Sequence, residues 1–186
     1  MDTQRRTLLA ALGGLAVAPL AARANLAPPA EVGSELPGAR LLGSGRLTFL
    51  GLHIYDARLW TADEFVADRF DRHPLALELQ YGRTLYGRLI AERSLEEMKR
   101  QGGFSEEQSE RWLASMKQTF PDVNKGDRIT GVQRPGESTR IFVNGTLRGE
   151  LRDAEFTRRF FGIWLAPQTS EPKLRQSLLG PALPRS

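Results

Sequence analysis

The fold class is decided by residues 127–151, DRITGVQRPGESTRIFVNGTLRGEL. This stretch is rich in β-branched residues, which predicts strands over residues 127–133, 139–143 and 146–151. Asn144-Gly145 separates the last two strands and is the pair that a type I′ hairpin turn prefers. We therefore expect three consecutive antiparallel strands in this part of the chain.

Three earlier runs also have the character of strands. Residues 39–49 and 51–60 are separated by a very short connection, which predicts a hairpin. Leu75, Leu77 and Leu79 alternate with Ala76, Glu78 and Gln80, the period-2 pattern of a strand with one buried face. This strand is expected to end near Tyr81-Gly82.

Helical signals fall in blocks outside these runs. Thr84 is a candidate N-cap for a helix that continues to Arg100, and Ser105 opens a capping box before a second helix that ends at Pro121. Asp153 is a candidate cap for a third helix, and Pro172 opens a last helix that ends at Gly180. Strands and helices occur in separate blocks and do not form βαβ units. The sequence therefore predicts an α+β fold, an antiparallel sheet with helices packed on one face.

The N-terminus has the three regions of a signal peptide. Arg5-Arg6 precedes an apolar stretch of about 13 residues, too short for the roughly 20 that a membrane-spanning helix needs. Ala22-Arg23-Ala24 then forms a cleavage signature. The paired arginines favour a twin-arginine leader over residues 1–24, with a general secretory leader as the alternative. We expect a periplasmic protein with a lead-in segment over residues 25–38, one domain over 39–180 and a disordered tail over 181–186.

Composition narrows the chemistry. The 186 residues include no cysteine and only two histidines, His53 and His73, so we expect no catalytic transition-metal site. The formal net charge is +4, and basic residues are mixed with acidic ones, whereas a nucleic-acid surface would carry a stripe of one sign. The mature chain is therefore predicted to bind no nucleic acid and to have no membrane span.

Several short motifs, in this order along the chain, resemble the bacterial chalcone isomerase-like family. They are Gly43-Ser44-Gly45-Arg46, LHIYDARLW at residues 52–60, Gly126-Asp127, Asn144-Gly145 and FFGIWL at residues 160–165. The resemblance covers about residues 43–180. It implies an open-faced β-sandwich, in which helices cover one side of a large antiparallel sheet. The plant enzymes of this family close a flavanone ring without a metal or organic cofactor, so the resemblance implies that this protein needs no cofactor.

The resemblance also implies site residues. The family's arginine after Gly-x-Gly falls on Arg46, whose forked guanidinium suits a phenolate or a carboxylate. The family's second-strand threonine falls on Tyr55, which keeps a hydroxyl, and its tyrosine at the start of the first long helix falls on Tyr86. Its asparagine two turns later falls on Arg93, so Arg93, like Tyr55, departs from the residue that is usual in the family. Arg46, Tyr55 and Tyr86 are the candidate catalytic or ligand-binding residues, and Arg93 is a further ligand-binding candidate.

Two further groups of residues each have two interpretations. Strict alternation would put His53 on the strand face of Tyr55, either as a pocket neighbour or as a surface imidazole. Phe156, Phe160, Phe161 and Trp164 recur at helical spacing, which is more typical of core packing than of a ligand cavity.

Three functions remain open on these grounds. The leading hypothesis is a non-catalytic protein that binds a small apolar molecule with one anionic group, as fatty-acid binding relatives do. The second is a cofactor-independent intramolecular lyase that acts on an enone, with the same residues stabilising an enolate. The third is a ligand-free interaction module of the cell envelope, which predicts a solid sandwich without a cavity.

Overall fold

The computed structural model describes residues 26–62 and 64–183. All six strands form one sheet in which each strand is antiparallel to the next and the spatial order follows the chain. The strands are β1 (Arg40–Phe49), β2 (Leu52–Thr61), β3 (Leu75–Tyr81), β4 (Arg128–Arg134), β5 (Ser138–Val143) and β6 (Thr146–Leu151). The predicted leader over residues 1–24 lies outside the described residues.

Both tight hairpins turn through residues with positive φ. Asn144 and Gly145 have φ of 48° and 86°, as the sequence predicts for a type I′ turn. The β1–β2 turn has the same pattern at Leu50 and Gly51, with φ of 50° and 76°. A leucine in the left-handed region is unfavourable, because its side chain crowds the backbone there.

The helices divide unequally between the two faces of the sheet. They are α1 (Ala30–Glu35), α2 (Gly87–Lys99), α3 (Glu106–Thr119), α4 (Ala154–Leu165) and α5 (Pro172–Leu179), with 3-10 turns at Ala67–Arg72 and Gly180–Ala182. Side chains of α2 to α5 form the main core with one face of the sheet, which we call the helical face. The α+β class with helices on a large antiparallel sheet is confirmed.

The opposite face of the sheet, here the open face, is partly covered by α1. Val32 and Leu36 form a second apolar cluster with Trp60 and Phe142 of the sheet. Glu31 is buried, and its Oε1 accepts hydrogen bonds from Arg128 at 2.8 Å and from Thr130 at 3.0 Å. The lead-in segment predicted over residues 25–38 therefore contributes a packed helix to the domain.

Helix α2 begins later than the sequence predicts. Thr84 does not cap it, because the chain is held extended where Leu85 pairs with Val123 in an isolated bridge. The first turn is capped from another segment, since Asp122 Oδ1 accepts the backbone N–H of Gly87 at 2.8 Å. At the C-terminal end, Gly180–Ala182 form a 3-10 turn and Leu183 packs against the main core, so the first residues of the tail predicted to be disordered over 181–186 are ordered. Residues 184–186 lie outside the described residues.

Candidate functional site

The helical face of the sheet holds an apolar pocket of about 370 Å³, within the usual size range of small-ligand sites. Its walls come from β1 to β4, α2, α4 and the segment before α5. The apolar lining residues are Leu47, Phe49, Ile54, Leu79, Leu85, Leu89, Ile90, Phe120, Ile129, Phe160, Ile163 and Trp164. The polar lining residues are Tyr55, Tyr81, Arg93, Ser94, Glu97, Ser170 and Glu171.

A β-bulge turns an additional residue toward this pocket. The β1–β2 register shifts between Leu47, which faces Tyr55, and Thr48, which faces His53, so Ile54 is the extra residue on β2. Ile54 and Tyr55 consequently both line the pocket although they are adjacent in sequence. His53 does not line it, and its Nε2 lies 3.4 Å from Asp56 Oδ2. The expectation that His53 shares a face with Tyr55 is wrong, because the bulge breaks the alternation.

Two tyrosines supply hydroxyls to the pocket wall. Tyr55 accepts a hydrogen bond from Trp164 Nε1 at 3.0 Å, which leaves the phenolic proton of Tyr55 free to donate. Tyr81 is buried and packs edge-on against Tyr55, with ring centroids 5.9 Å apart. The Tyr81 hydroxyl makes no hydrogen bond with the described residues. Burial raises the pKa of both phenols well above the ordinary value, so both remain protonated donors at neutral pH.

One cation reaches the pocket. Arg93 on α2 lines it, and its Nη2 lies 2.6 Å from Oε1 of Glu97, one helical turn later. The side chain of Arg93 is 64% exposed while that of Glu97 is 8% exposed, so the guanidinium lies at the mouth and the carboxylate lies further in. Oε2 of Glu97 is buried without a hydrogen-bond partner among the described residues. Charges on Glu171, Glu97 and Arg93 all act on the Tyr55 hydroxyl.

Arg46 lies on the open face of the sheet, away from the pocket. Its Nε and Nη2 donate to the two carboxylate oxygens of Asp56 at 2.7 and 3.1 Å. This hydrogen bonding lowers the pKa of the Asp56 carboxyl. Adjacent strand residues point to opposite faces, so Leu47 reaches the pocket and Arg46 does not. The structure therefore does not bring Arg46 together with Tyr55.

Tyr86 is also outside the pocket. It is the residue before the first turn of α2, and it is 61% exposed. Of the four residues that the resemblance implied, Tyr55 and Arg93 line the pocket, whereas Arg46 and Tyr86 do not.

The aromatic residues of α4 have two roles. Phe156 and Phe161 are at most 1% exposed and belong to the core, as the sequence predicts. Phe160 and Trp164 also pack in the core but line the pocket in addition, a contribution that helical spacing alone did not predict.

Sequence reasoning missed Tyr81 and Glu97. The signal for Tyr81 was present, since it continues the period-2 series of Leu75, Leu77 and Leu79 on one strand face. Glu97 stands in a charged helical stretch that resembles a solvated surface, and nothing in its neighbours indicates burial.

Neither a metal-binding cluster nor a membrane-crossing helix is present in the part of the chain that the structure describes. No three histidine, aspartate or glutamate side chains of those residues lie together so that they could hold one metal ion. None of the described helices has both the length and the apolar composition that a bilayer span requires.

The architecture is that of an α+β fold in which helices cover one face of an antiparallel sheet and leave an apolar pocket between the two layers. The chain belongs to the chalcone isomerase-like family, whose model matches residues 50–180, and the predicted resemblance is confirmed. A similar chain, an uncharacterized protein of Haemophilus influenzae, is 29% identical over 142 residues, which are 75% of this chain and 67% of that one. The crystal structure of a fatty-acid binding protein of Arabidopsis thaliana has the same fold at a TM-score of 0.61 and 16% identity, covering 78% of this chain and 89% of that one.

Proposed function

We propose that the protein binds, without catalysis, a small apolar molecule that carries one anionic group. The observation that carries the proposal is the pocket itself, whose wall is mostly apolar and includes the neighbouring tyrosines Tyr55 and Tyr81 and the cation Arg93. The Arabidopsis protein of the same fold is a fatty-acid binding protein, which makes a fatty acid the first ligand to test.

Arg93 replaces Arg46 as the proposed partner of the anionic group. It is the cation that lines the pocket, and its exposed position lets the guanidinium move to meet a ligand. A guanidinium has five N–H donors, so Arg93 can hold a ligand carboxylate while it remains paired with Glu97. Tyr55 and Tyr81 offer further donors within the pocket, and the apolar walls enclose the chain of the ligand.

The two alternative functions have less support. An enone lyase needs its oxyanion donors on one reacting group, but Arg46 and Tyr55 lie on opposite faces of the sheet. A ligand-free envelope module predicts a solid sandwich, and a pocket of about 370 Å³ argues against it.

Titration calorimetry with hexadecanoic acid tests the binding proposal. We expect one molecule per chain, and we expect Arg93→Ala to weaken binding by at least about tenfold, because a hydrogen bond to a charged group contributes about 1.5–3 kcal/mol. Hexadecan-1-ol has the same chain without the charge, so Arg93→Ala should leave its binding unchanged.

Arg46→Ala is the matched control, because it removes the same side chain from the open face. Binding of hexadecanoic acid should be unaffected by that variant. Loss of binding in Arg46→Ala with full binding in Arg93→Ala would contradict the proposal.

We also propose that the protein acts in the periplasm after export by the twin-arginine route. The support is Arg5-Arg6 before an apolar stretch and Ala22-Arg23-Ala24 after it. N-terminal sequencing of the protein from a periplasmic fraction should begin at Asn25. Replacing both arginines by lysine should retain the uncleaved chain in the cytoplasm, whereas unchanged export of that variant would favour the general secretory route.

A further inference from the structure

Exposed apolar side chains are concentrated beside the pocket mouth. Eight large apolar side chains of the described residues are exposed, and five of them belong to the β1–β2 turn or the start of α2. We call this group the apolar rim. It consists of Phe49, Leu50, Leu52, Tyr86 and Leu89, which are 61%, 84%, 51%, 61% and 46% exposed. Large contiguous apolar patches on a protein surface usually mark a binding surface.

The rim is continuous with the pocket. Phe49 and Leu89 belong to both, since each is exposed and each also lines the cavity. Leu52 pairs with Phe49 across the hairpin, and the Leu89 N–H donates to the Tyr86 carbonyl one turn earlier on α2. An apolar ligand that leaves the pocket here meets an apolar surface before it meets water.

Leu50 occupies the tip of the rim at a cost to the local backbone. A type I′ turn prefers Asn-Gly, and this chain uses that pair at Asn144-Gly145 with nearly the same φ angles. Leu50 stands in the corresponding position with a positive φ and with its side chain in solvent. Neither backbone conformation nor burial favours leucine there, and such local conflicts are typical of functional positions.

Two cations without an ion pair among the described residues lie next to the rim. Gly82 donates to the Ile54 carbonyl at 2.8 Å, which places Arg83 beside the start of β2. Thr84 bonds to Asn124 at 3.2 Å, which places Lys125 beside the same segment. Both cations are exposed.

The carboxylates of this region are engaged in hydrogen bonds. Asp122 accepts the N–H of Gly87, and Asp127 accepts the N–H of Asn124 and the side-chain amide of Asn144. These hydrogen bonds do not cancel the charges of the two carboxylates, but they hold the carboxylates against their own segment, whereas Arg83 and Lys125 make no ion pair with the described residues and are left to meet an external anion.

We propose that the apolar rim docks the protein on a lipid bilayer that contains anionic headgroups, with Leu50 inserted and Arg83 and Lys125 at the headgroup level. This docking goes beyond ligand binding and does not require a filled pocket. A bilayer fits better than a second copy of the chain, because the rim exposes on the order of 600 Å², the lower limit of what each partner buries in a stable protein interface, and the two cations beside the rim match anionic headgroups. Apolar insertion combined with basic residues is also the combination that holds proteins at membrane surfaces.

Flotation of the ligand-free protein with vesicles tests the proposal. We expect the protein to float with vesicles of equimolar phosphatidylglycerol and phosphatidylcholine. Leu50→Asn should reduce the partition coefficient at least about tenfold, because burial of a leucine side chain is lost. Asn tolerates the left-handed conformation, so the melting temperature of this variant should be equal or higher. Fatty-acid binding by Leu50→Asn in solution should be unchanged, which separates failure of docking from failure of the pocket.

Two controls make the result specific. Leu147→Asn changes a leucine that is 44% exposed on β6, at the other edge of the six-stranded sheet, and should not alter flotation. Arg83→Ala and Lys125→Ala should each weaken binding roughly fivefold on the anionic vesicles and have no effect on pure phosphatidylcholine. Equal flotation of Leu50→Asn and wild type would overturn the proposal, and so would a dimer in solution that Leu50→Asn dissociates.

Discussion

Trp164 donates its indole N–H to the hydroxyl oxygen of Tyr55 across 3.0 Å, joining α4 to β2 at the wall of the pocket. The bond fixes the orientation of the Tyr55 hydroxyl, because its oxygen is occupied as an acceptor from one side. The remaining function of that hydroxyl is to donate its proton, and an anionic or carbonyl oxygen of a bound ligand is the partner that fits.

A double-mutant cycle separates the two roles of this pair. Tyr55→Phe should lower the free energy of unfolding by about 1–3 kcal/mol, because the indole N–H of Trp164 is left without its partner. It should also weaken binding of hexadecanoic acid several-fold. Tyr55→Phe combined with Trp164→Phe removes both polar groups and should recover part of the lost stability.

Ligand affinity should not recover in the double variant, because the donor to the ligand is still absent. Chemical denaturation and titration calorimetry on the two single variants and the double variant supply the comparison. Full recovery of affinity in the double variant would show that Tyr55 acts only through Trp164.

Alkaline pH should destabilise the protein through its buried phenols. Burial raises the pKa of Tyr55 and Tyr81, whereas a tyrosine in an unfolded chain ionises near pH 10. The folded chain holds these two protons more tightly, so their contribution to stability is complete below pH 10 and is lost as the pH rises above it. The loss is up to about 1.4 kcal/mol per pH unit for each phenol.

Denaturation midpoints between pH 8 and pH 11 measure this effect. Tyr55→Phe combined with Tyr81→Phe should flatten the decline above pH 10. A decline of the same steepness in that variant would assign the alkaline sensitivity to other groups.

Helix α1 should contribute to stability from the open face. Val32 is completely buried against the sheet, so Val32→Ala should lower the free energy of unfolding by about 2 kcal/mol. Val66 is 48% exposed, and Val66→Ala should change stability by less than about 0.5 kcal/mol. Denaturant titrations of both variants test the difference, and equal small effects would mean that α1 is dispensable for the fold.

The sheet and the hairpin could be predicted from the sequence because their signals are local. Asn144-Gly145 specifies its turn by conformational preference, and the alternating leucines of β3 specify which face is buried. The sequence does not predict helix α1, because Val32 is the only buried apolar residue among its six and the buried Glu31 has no apolar character to indicate packing. The turn of Leu50 is local too, but leucine is not a residue that predicts it.

The site was harder to predict because long-range geometry decides it. Arg46 and Leu47 are neighbours in sequence, and only the strand register shows that Leu47 faces the pocket. The bulge at Ile54 reverses the expected relation between His53 and Tyr55. Arg93 stands in a charged helix that resembles a solvent-facing surface, and packing of that helix over the sheet makes it a pocket residue.

Contact quenching of single tryptophans by a bromine-labelled fatty acid tests most directly whether the ligand occupies the pocket. Trp164 lines the pocket, whereas Trp60 belongs to the open-face cluster beneath α1. Trp60→Phe with Trp112→Phe leaves Trp164 alone, and Trp112→Phe with Trp164→Phe leaves Trp60 alone; circular dichroism checks that both variants fold. We predict saturable quenching of Trp164 and none of Trp60. Quenching of Trp60 with Trp164 unaffected would place the ligand on the open face and contradict the assignment of the pocket.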